Sequence, residues 1–418
     1  MFVGMGFGTS NSAVATLGAD GQAQVRPFAT AAGPASTLRS VLAFDKDHRD
    51  GLVGHDAIDA YLHGDGECRF LQSFKSYLTS RAFSSTSILG RTYSLEDLIA
   101  RIVGHLGQHV GGTSRVVAGR PVRFVAEGGE SEDEFATARL LEAFGKAGID
   151  DVLFEYEPIA AAYYYESGLT RDETVLVADF GGGTSDFCLI RLGPSRAKLN
   201  RPEDAILGTS GVGIAGDAFD RRMVQHGIAG PLGKDATFES HGKRLPMPAW
   251  IYGKLERWHH VSFLNTPSTL RLLRDLERKV DQPEAIEQLL ALIEYNLGYH
   301  LYRAVEKAKV ELSHADATEF VFDHDPVRIA RRVTRAEFEN WIRPELESIE
   351  TCVDGLLEST AMPPAKVDRV FMTGGSSLVP AVRAIFARRF GEEKLSAGGE
   401  FISVASGLAH RAKEVWGR

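Results

Sequence analysis

Two glycine-rich turns in this sequence have the residue types that bind phosphate groups. The first is Gly6–Asn11 (GFGTSN) and the second is Asp179–Asp186 (DFGGGTSD). Glycines followed by Thr or Ser let backbone N–H groups approach phosphate oxygens, because no Cβ atom stands in the way. Two such turns facing each other predict a clamp that holds a polyphosphate from both sides. Only the second turn begins with a carboxylate, Asp179, where the first has Gly6.

A third glycine turn, Thr373–Ser376 (TGGS), lies between a predicted strand and a predicted helix. The N-terminus of that helix would offer free N–H groups to a nucleoside or a phosphate. Two other phosphate-binding patterns do not fit. The segment from Gly230 (GPLGKDA) lacks the spacing and the Ser/Thr of a Walker loop. The first turn is followed by strand-forming residues, whereas a dinucleotide-binding fingerprint requires a helix there.

The predicted elements around the turns repeat. Each half of the chain has a strand, a Gly-Thr turn and a second strand, which predict a β-hairpin, and a strand–helix crossover follows later. This pattern predicts an internal duplication, and duplicated α/β halves imply two lobes with a ligand cleft between them. One helix is expected after Ser94, which is placed to form a capping box with Asp97. A long helical region is predicted from Ala285 to Leu312.

The composition is that of an ordinary globular protein. The chain has 418 residues and a net charge of -9, and its Lys/Arg runs are short, so we expect no nucleic-acid partner. The three cysteines have no zinc or redox spacing and are expected to be reduced thiols. No signal-peptide pattern and no apolar run of about 18 residues is present, so we expect a cytoplasmic protein without membrane contact.

The order of the motifs resembles the nucleotide-binding (ATPase) domain of the 70-kDa heat-shock chaperone family (DnaK-type), within the actin and hexokinase superfamily. The resemblance covers nearly the whole chain and is closest to the YegD-like branch. Eight motifs in this order are far more specific than any one of them. Besides the two phosphate turns, the matching segments are LQSFKSYL with Lys75, YEPIAAAYYYESG with Glu157, GIAGDAFDRRMV with Gly216, VEKAKVELS with Glu306, Lys309 and Ser313, FMTGGSSLVPAVR, and EFISVASGLAHRA.

The resemblance implies an α/β fold of duplicated ribonuclease-H-like lobes, as in actin-like ATPases, around a central nucleotide cleft. The expected lobe I is residues 1–169, with a core of 1–35 and 110–169 and an inserted subdomain of 36–109. The expected lobe II is residues 170–418, with a core of 170–212 and 305–418 and an inserted subdomain of 213–304.

The resemblance also implies ATP or ADP as the ligand, with Mg²⁺. The catalytic residues would be Lys75, Glu157, Asp179 and Thr184. Asp179 and Glu157 would hold the ion through water, since magnesium keeps much of its water shell. Lys75 would orient the attacking water, and Asp186 would assist as a water or ion contact. The expected nucleotide-binding residues are Gly8, Thr9, Ser10, Asn11, Gly181, Gly182, Gly183, Thr184, Gly216, Glu306, Lys309, Ser313, Gly374, Gly375, Ser376 and Leu378.

Three positions depart from the family pattern. Gly6 stands where the family has an aspartate that helps to hold the metal's water ligands. Loss of one preorganised electrostatic group typically lowers a rate by about 10²- to 10³-fold, so we expect nucleotide binding with slow or vestigial ATP hydrolysis. Val310 and Leu378 replace the arginines that enclose adenine in the family, which leaves the preference for adenine open.

The printed sequence ends at Arg418, soon after the last motif, so we expect no peptide-binding domain. The expected function is that of a nucleotide-controlled conformational switch with an unknown protein partner or client. Residues 231–265 match no motif. Two alternatives remain open: a kinase of the same superfamily that acts on a small sugar or acid, and an actin-like filament protein.

Overall fold

Two mixed β-sheets with the same strand order form the framework of the protein. The computed structural model describes all residues except 19, 32, 65–67, 125–129, 197, 198, 200, 400, 401 and 418, so the first two residues of the motif EFISVASGLAHRA lie outside the described residues. The strands are β1 (Val3–Gly6), β2 (Asn11–Leu17), β3 (Ala23–Val25), β4 (Leu38–Arg39), β5 (Val41–Phe44), β6 (Leu52–Val53), β7 (Arg69–Gln72), β8 (Ser85–Ile88), β9 (Arg91–Ser94), β10 (Arg115–Arg120), β11 (Asp151–Tyr156), β12 (Glu173–Phe180), β13 (Ser185–Leu192), β14 (Ile206–Val212), β15 (Thr237–Ser240), β16 (Lys243–Pro246), β17 (Ala317–His324), β18 (Val327–Thr334), β19 (Arg369–Thr373) and β20 (Leu395–Ala397). The helices are α1 (His55–His63), α2 (Leu95–His109), α3 (Glu130–Lys146), α4 (Glu157–Glu166), α5 (Gly216–Met223), α6 (Ala249–Leu255), α7 (Pro267–Glu277), α8 (Pro283–Glu294), α9 (Gly298–His314), α10 (Arg335–Trp341), α11 (Arg343–Ser359), α12 (Pro380–Phe390) and α13 (Ser403–Trp416).

The two sheets confirm the predicted internal duplication. The first has the order β11-β10-β1-β2-β3, with β4 beside β2, and the second has the order β20-β19-β12-β13-β14. In each sheet the hairpin pairs are antiparallel and the two strands on the other side are parallel. The register also repeats, because Gly6 pairs with Ala13 in the first hairpin and Asp179 pairs with Asp186 in the second. This is the architecture expected of duplicated actin-like ATPase lobes.

The crossover helices repeat in the same order. The series β10–α3–β11–α4 in the first half corresponds to β19–α12–β20–α13 in the second. Helix α2 begins with the predicted capping box: the Asp97 N–H donates to Ser94 Oγ over 3.1 Å, and the Ser94 N–H donates to Asp97 Oδ2 over 2.9 Å. These two bonds satisfy two backbone N–H groups at the start of the helix. The buried face of α2 packs into the core of the first sheet.

The predicted helical region from Ala285 to Leu312 is present as two helices, because Asn296 adopts a left-handed conformation (φ 54°) that separates α8 from α9. The prediction that the third glycine turn leads directly into a helix N-terminus was wrong. A 3₁₀ segment, Gly375–Leu378, comes between, and the Ser377 hydroxyl closes it by donating to the Gly374 carbonyl over 2.6 Å. Helix α12 then begins at Pro380, a residue suited to the first helical turn.

The chain divides into two compact units. The first comprises residues 1–216 and 347–418 and contains both large sheets, and the second comprises residues 217–346. The unmatched residues 231–265 lie in the second unit, where they form β15, β16, α6 and a 3₁₀ segment, Trp258–Leu264. The predicted lobe and subdomain boundaries remain a prediction. Within the ranges that the structure describes, no helix has both the length and the apolar character needed to span a bilayer.

Helix α13 lies against α4 with backbone touching backbone. A Cβ atom added at Gly407 would lie 1.6 Å from the carbonyl oxygen of Ala160. A second close approach joins α13 to β1, since a Cβ atom at Gly4 would lie 2.2 Å from the amide nitrogen of Ala409. Glycine is therefore required at both contacts, because rigid backbone atoms cannot move aside as a flexible side chain would.

We predict that Gly407→Ala lowers the free energy of unfolding by at least about 2 kcal/mol, because the added methyl group overpacks a backbone contact. Gly355→Ala is the matched control: Gly355 is an exposed glycine of α11 with no atom within 4 Å of an added Cβ. Its replacement should stabilise the protein by about 0.5–1 kcal/mol through helix propensity alone. Urea unfolding of the three proteins measures both values, and equal stability of the Gly407→Ala and Gly355→Ala variants would contradict the packing argument.

Candidate nucleotide-binding site

The turns of the two hairpins meet at Thr9 and Gly183. A Cβ atom at Gly183 would lie 3.1 Å from Thr9 Oγ1, so the second turn has only a backbone surface at this contact. The first turn is equally tight, because a Cβ atom at Gly8 would lie 2.1 Å from the carbonyl oxygen of Asn11. The structure thus brings the two predicted phosphate turns together.

The remaining predicted residues of the two turns lie close by. Ser10 and Asn11 lead into β2, and the Ser10 carbonyl accepts a hydrogen bond from the amide of Ser40 over 3.0 Å. In the second turn, the Gly181 N–H donates to the Thr184 carbonyl over 2.9 Å, with Gly182 and Gly183 between them. The Gly216 N–H approaches the Gly181 carbonyl at 3.4 Å, which places the start of α5 beside this turn.

Lys75 and Glu157 form a buried ion pair. Lys75 lies in a 3₁₀ segment, Phe74–Tyr77, and Glu157 is the first residue of α4. The Lys75 Nζ atom is 2.5 Å from Glu157 Oε1, and the two residues are only 7% and 9% exposed. Gly119 of β10 leaves room for this glutamate, because a Cβ atom there would lie 3.1 Å from Glu157 Cγ. Lys75 is therefore a fixed internal cation rather than a surface lysine.

Asp179 and Asp186 face each other across the second hairpin, and both are buried. Burial, followed by the nearby charges of Glu157 and Asp186, raises the pKa of Asp179 well above its usual value. Burial and the charge of Glu157 likewise raise the pKa of Asp186 to about 7, although hydrogen bonds from Thr184 and from the amide of Val122 oppose the shift. The Val122 amide donates to Asp186 Oδ1 over 2.7 Å.

Among the described residues of this site, the carboxylates outnumber the positively charged groups. Asp179, Asp186 and Glu157 carry three potential negative charges, and Lys75 supplies one positive charge near them. In the described part of the chain, no group of three or more His, Cys, Asp or Glu residues is arranged to ligate a metal ion directly. Carboxylates that act through water suit Mg²⁺, which keeps several water ligands when it binds proteins. The donor set therefore fits a hydrated magnesium ion.

The first hairpin lacks both carboxylates of the second. Gly6 corresponds to Asp179 in the shared register, and Ala13 corresponds to Asp186. The sequence prediction identified the missing acid at Gly6 but not the one at Ala13, although the same seven-residue spacing within each hairpin would have revealed it. A Cβ atom at Gly6 would lie 3.8 Å from its nearest neighbours, the Ala13 carbonyl oxygen and Val404 Cγ1. Steric exclusion is thus not the reason for glycine here.

The third glycine turn packs against the second hairpin. Gly374 has a positive φ of 83°, and a Cβ atom on it would lie 2.1 Å from the carbonyl oxygen of Phe180. Ser376 is buried in the 3₁₀ segment that begins at Gly375, whereas Leu378 is 43% exposed at the end of that segment. The turn is thereby fixed beside β12, and Leu378 presents an apolar side chain to solvent.

Glu306, Lys309 and Ser313 lie in the second unit, on α9. Lys309 Nζ is 2.7 Å from Asp220 Oδ1, and the Ser313 hydroxyl donates to the Lys309 carbonyl over 3.1 Å. Glu306 Oε2 lies 3.7 Å from Arg303 Nη1, and Val310 is 53% exposed. The sequence prediction missed Asp220, because its link to Lys309 joins helices that are far apart in the chain.

Comparisons with known proteins agree with this geometry. The family model described as "Hsp70 protein" matches residues 294–414. A chaperone protein DnaK of Thermosipho melanesiensis is 26% identical over 98% of this chain and 58% of its own length. One of Thermotoga maritima is 25% identical over 98% of this chain and 59% of its own length.

The C-terminal part of the chain is thus similar to the Hsp70 family model, and nearly the whole chain is similar to DnaK chaperones. A DnaK of Thermus thermophilus shares 25% identity over 65% of the chain. The DnaK of Thermosipho melanesiensis is matched over only 58% of its length, so this chain spans little more than half of that protein. Placement in the YegD-like branch of the family stays a prediction.

The raised pKa of Asp186 predicts that the stability of the protein depends on pH. Because the folded protein holds this proton more tightly than the unfolded chain, stability falls as the pH rises from about 4 to about 7. Between pH 5 and pH 8, the free energy of unfolding of the wild type should fall by about 2 kcal/mol more than that of Asp186→Asn. The amide oxygen of the variant can still accept the bond from Val122. Denaturant unfolding at both pH values checks this, and parallel pH profiles would refute it.

Proposed function

We propose that this chain binds ATP or ADP with Mg²⁺ and hydrolyses ATP slowly, as a nucleotide-controlled conformational switch that acts on a protein partner or client. The observation that carries the proposal is the buried Lys75–Glu157 pair, which lies near the buried carboxylate of Asp179. The two glycine turns meet at Thr9 and Gly183. The similarity to DnaK chaperones over 98% of the chain supports it.

The phosphate chain would be held mainly by backbone. Turns as close as those at Gly8 and Gly183 present N–H groups without side-chain obstruction. The hydroxyl of Thr9, at the contact between the turns, would add a donor from the first hairpin, and Thr184 would add its backbone N–H from the second, since its hydroxyl donates to Asp186. Such contacts bind phosphate oxygens in the ground state, so they support affinity more than rate.

The buried charges would serve the chemical step. Bound Mg²⁺ would neutralise charge on the β- and γ-oxygens of ATP. Asp179 and Glu157 would hold the water ligands of that ion, which their excess negative charge favours. Lys75, fixed 2.5 Å from Glu157, would orient the attacking water and offset the charge that develops on the transferred phosphoryl group. Asp186 would hold a further water through the carboxylate that Val122 orients.

Slow turnover follows from the first hairpin. In the second hairpin an aspartate stands at the position that Gly6 occupies in the first, so of the two hairpins only the second is acidic. Groups that would bind phosphate are present in both hairpins, whereas the metal's waters would be held by Asp179 of the second hairpin and Glu157 of α4, without a carboxylate from the first hairpin. Binding should therefore persist while the rate of hydrolysis is reduced.

We predict that Gly6→Asp raises the steady-state rate of phosphate release from ATP by about 10²-fold, because it restores a preorganised carboxylate. The space around an added Cβ atom permits the substitution, with its nearest neighbours at 3.8 Å. Gly6→Asn is the matched control, since it has the same shape without the charge. The gain should require Mg²⁺, and it should appear in kcat rather than in KM.

Three results would count against the proposal. Gly6→Asp and Gly6→Asn could be equally slow, which would mean that the missing charge does not limit hydrolysis. The gain could persist in the presence of a chelator, which would exclude the metal-holding role. Finally, ATP could fail to bind the wild type at millimolar concentration, which would leave the turns without a nucleotide function.

A further inference from the structure

The segment that carries Lys75 is held firmly on its N-terminal side. Strand β7 ends at Gln72 and pairs with β5 along its length. Ser73 follows in a left-handed conformation (φ 56°) and turns the chain into the 3₁₀ segment that contains Lys75. On the C-terminal side, residues 77–83 form no regular strand or helix beyond Tyr77 before β8 begins at Ser85. We call residues 77–83 the 77–83 loop.

Arg139 of α3 organises the 77–83 loop. Its Nε atom donates to Glu96 Oε1 of α2, which fixes the plane of the guanidinium group. The other donors of the group reach main-chain carbonyl oxygens of the loop. These contacts are Nη1 with Tyr77 at 3.3 Å, Leu78 at 3.5 Å and Ser80 at 3.1 Å, and Nη2 with Phe83 at 3.2 Å.

The two charged side chains are buried, and the contacts of Arg139 with the loop carbonyls are buried or half-buried. Arg139 is 8% exposed and Glu96 is 7% exposed. Burial alone would raise the pKa of Glu96, but the hydrogen bond from Arg139 holds this pKa below its usual value. A guanidinium offers five N–H donors in a planar fork, and that shape matches carbonyl groups spread along a loop. An ammonium group of lysine offers three donors around a single point and cannot span the same set.

We propose that Arg139 is the positioning residue for Lys75, because it anchors the backbone of the 77–83 loop and so fixes the segment from which Lys75 reaches Glu157. The chain from Lys75 to Arg139 is short: the Leu78 amide donates to the Lys75 carbonyl over 3.3 Å, and the Leu78 carbonyl accepts from Arg139. Without the guanidinium, the loop carbonyls would lose their donors inside the protein. Residues 77–83 would then open, and the segment that carries Lys75 would lose its C-terminal anchor.

Arg139 does not touch the predicted phosphate turns, so its effect on chemistry would pass through Lys75. That part of the inference rests on the proposed function, in which Lys75 orients the attacking water. The structural part needs no nucleotide and is tested separately.

The test measures how fast the Lys75 amine is acetylated in the full chain, by mass spectrometry after brief exposure to an acetylating reagent. Two other lysines are internal references: Lys309, whose half-buried side chain pairs with Asp220, and the exposed Lys307. The variant is Arg139→Lys, which keeps a positive charge against Glu96, and Arg139→Gln provides a second variant if the first does not fold. The matched control is Arg196→Lys.

Arg196 is an appropriate control because it is also 8% exposed and pairs with two carboxylates, those of Glu166 and Glu414. None of its described contacts is with the 77–83 loop. We expect the acetylation rate of Lys75 to rise by about tenfold or more in the Arg139 variant, through local opening of the loop. The rates of Lys309 and Lys307 should stay as they are in the wild type, and Arg196→Lys should leave Lys75 slow.

An unchanged Lys75 rate in the Arg139 variants would overturn the proposal. An equal rise at Lys75 and Lys309, or an equal rise in Arg196→Lys, would also overturn it, because the effect would then be general destabilisation. Phosphate release gives the second readout, in which Arg139→Lys should lower kcat and leave KM for ATP unchanged. If the wild type releases no phosphate, the proposed hydrolysis fails, and the acetylation result still decides whether Arg139 positions Lys75.

Discussion

The constraint on which the site depends is the burial of several carboxylates around one ammonium group. Asp179, Asp186 and Glu157 repel one another away from bulk water, and Lys75, held against Glu157 at 2.5 Å, balances them in part. Such an arrangement costs stability in the folded protein, since desolvation disfavours each charged form. A hydrated cation and its phosphate ligand would relieve that cost, so the same interaction explains both the raised pKa values and the affinity that we propose.

The two duplicated hairpins contribute different residues to the site. Both hairpins have the same register and both contribute a tight glycine turn, but the carboxylates belong only to the second, where Asp179 and Asp186 replace the Gly6 and Ala13 of the first. Under the proposed function, both hairpins would contribute to a phosphate clamp, whereas the first hairpin would add no carboxylate to the groups that hold the metal. The backbone of the glycine turns is similar in the two hairpins, whereas the acidic side chains differ between them.

The sequence predicted the features that are local in the chain. The hairpins follow from strand-forming residues around Gly-Thr turns, and the start of α2 follows from the spacing of Ser94 and Asp97. Features that depend on distant contacts were not predictable. The break at Asn296 requires a left-handed residue that the hydrophobic period of α8 and α9 does not reveal. Arg139 binds main-chain carbonyls, which any residue type can supply, so its partners leave no pattern in the sequence.

The most direct test of the central claim is a calorimetric titration of ATP into the wild type and into Asp179→Asn, each with and without Mg²⁺. We predict that Mg²⁺ strengthens the binding of ATP to the wild type by at least about tenfold, or 1.4 kcal/mol. Asp179→Asn should show a much smaller effect of Mg²⁺, because one of the two carboxylates that would hold the ion's waters is gone. An equal effect of Mg²⁺ on both proteins would contradict the account, because Asp179 would then have no part in holding the metal.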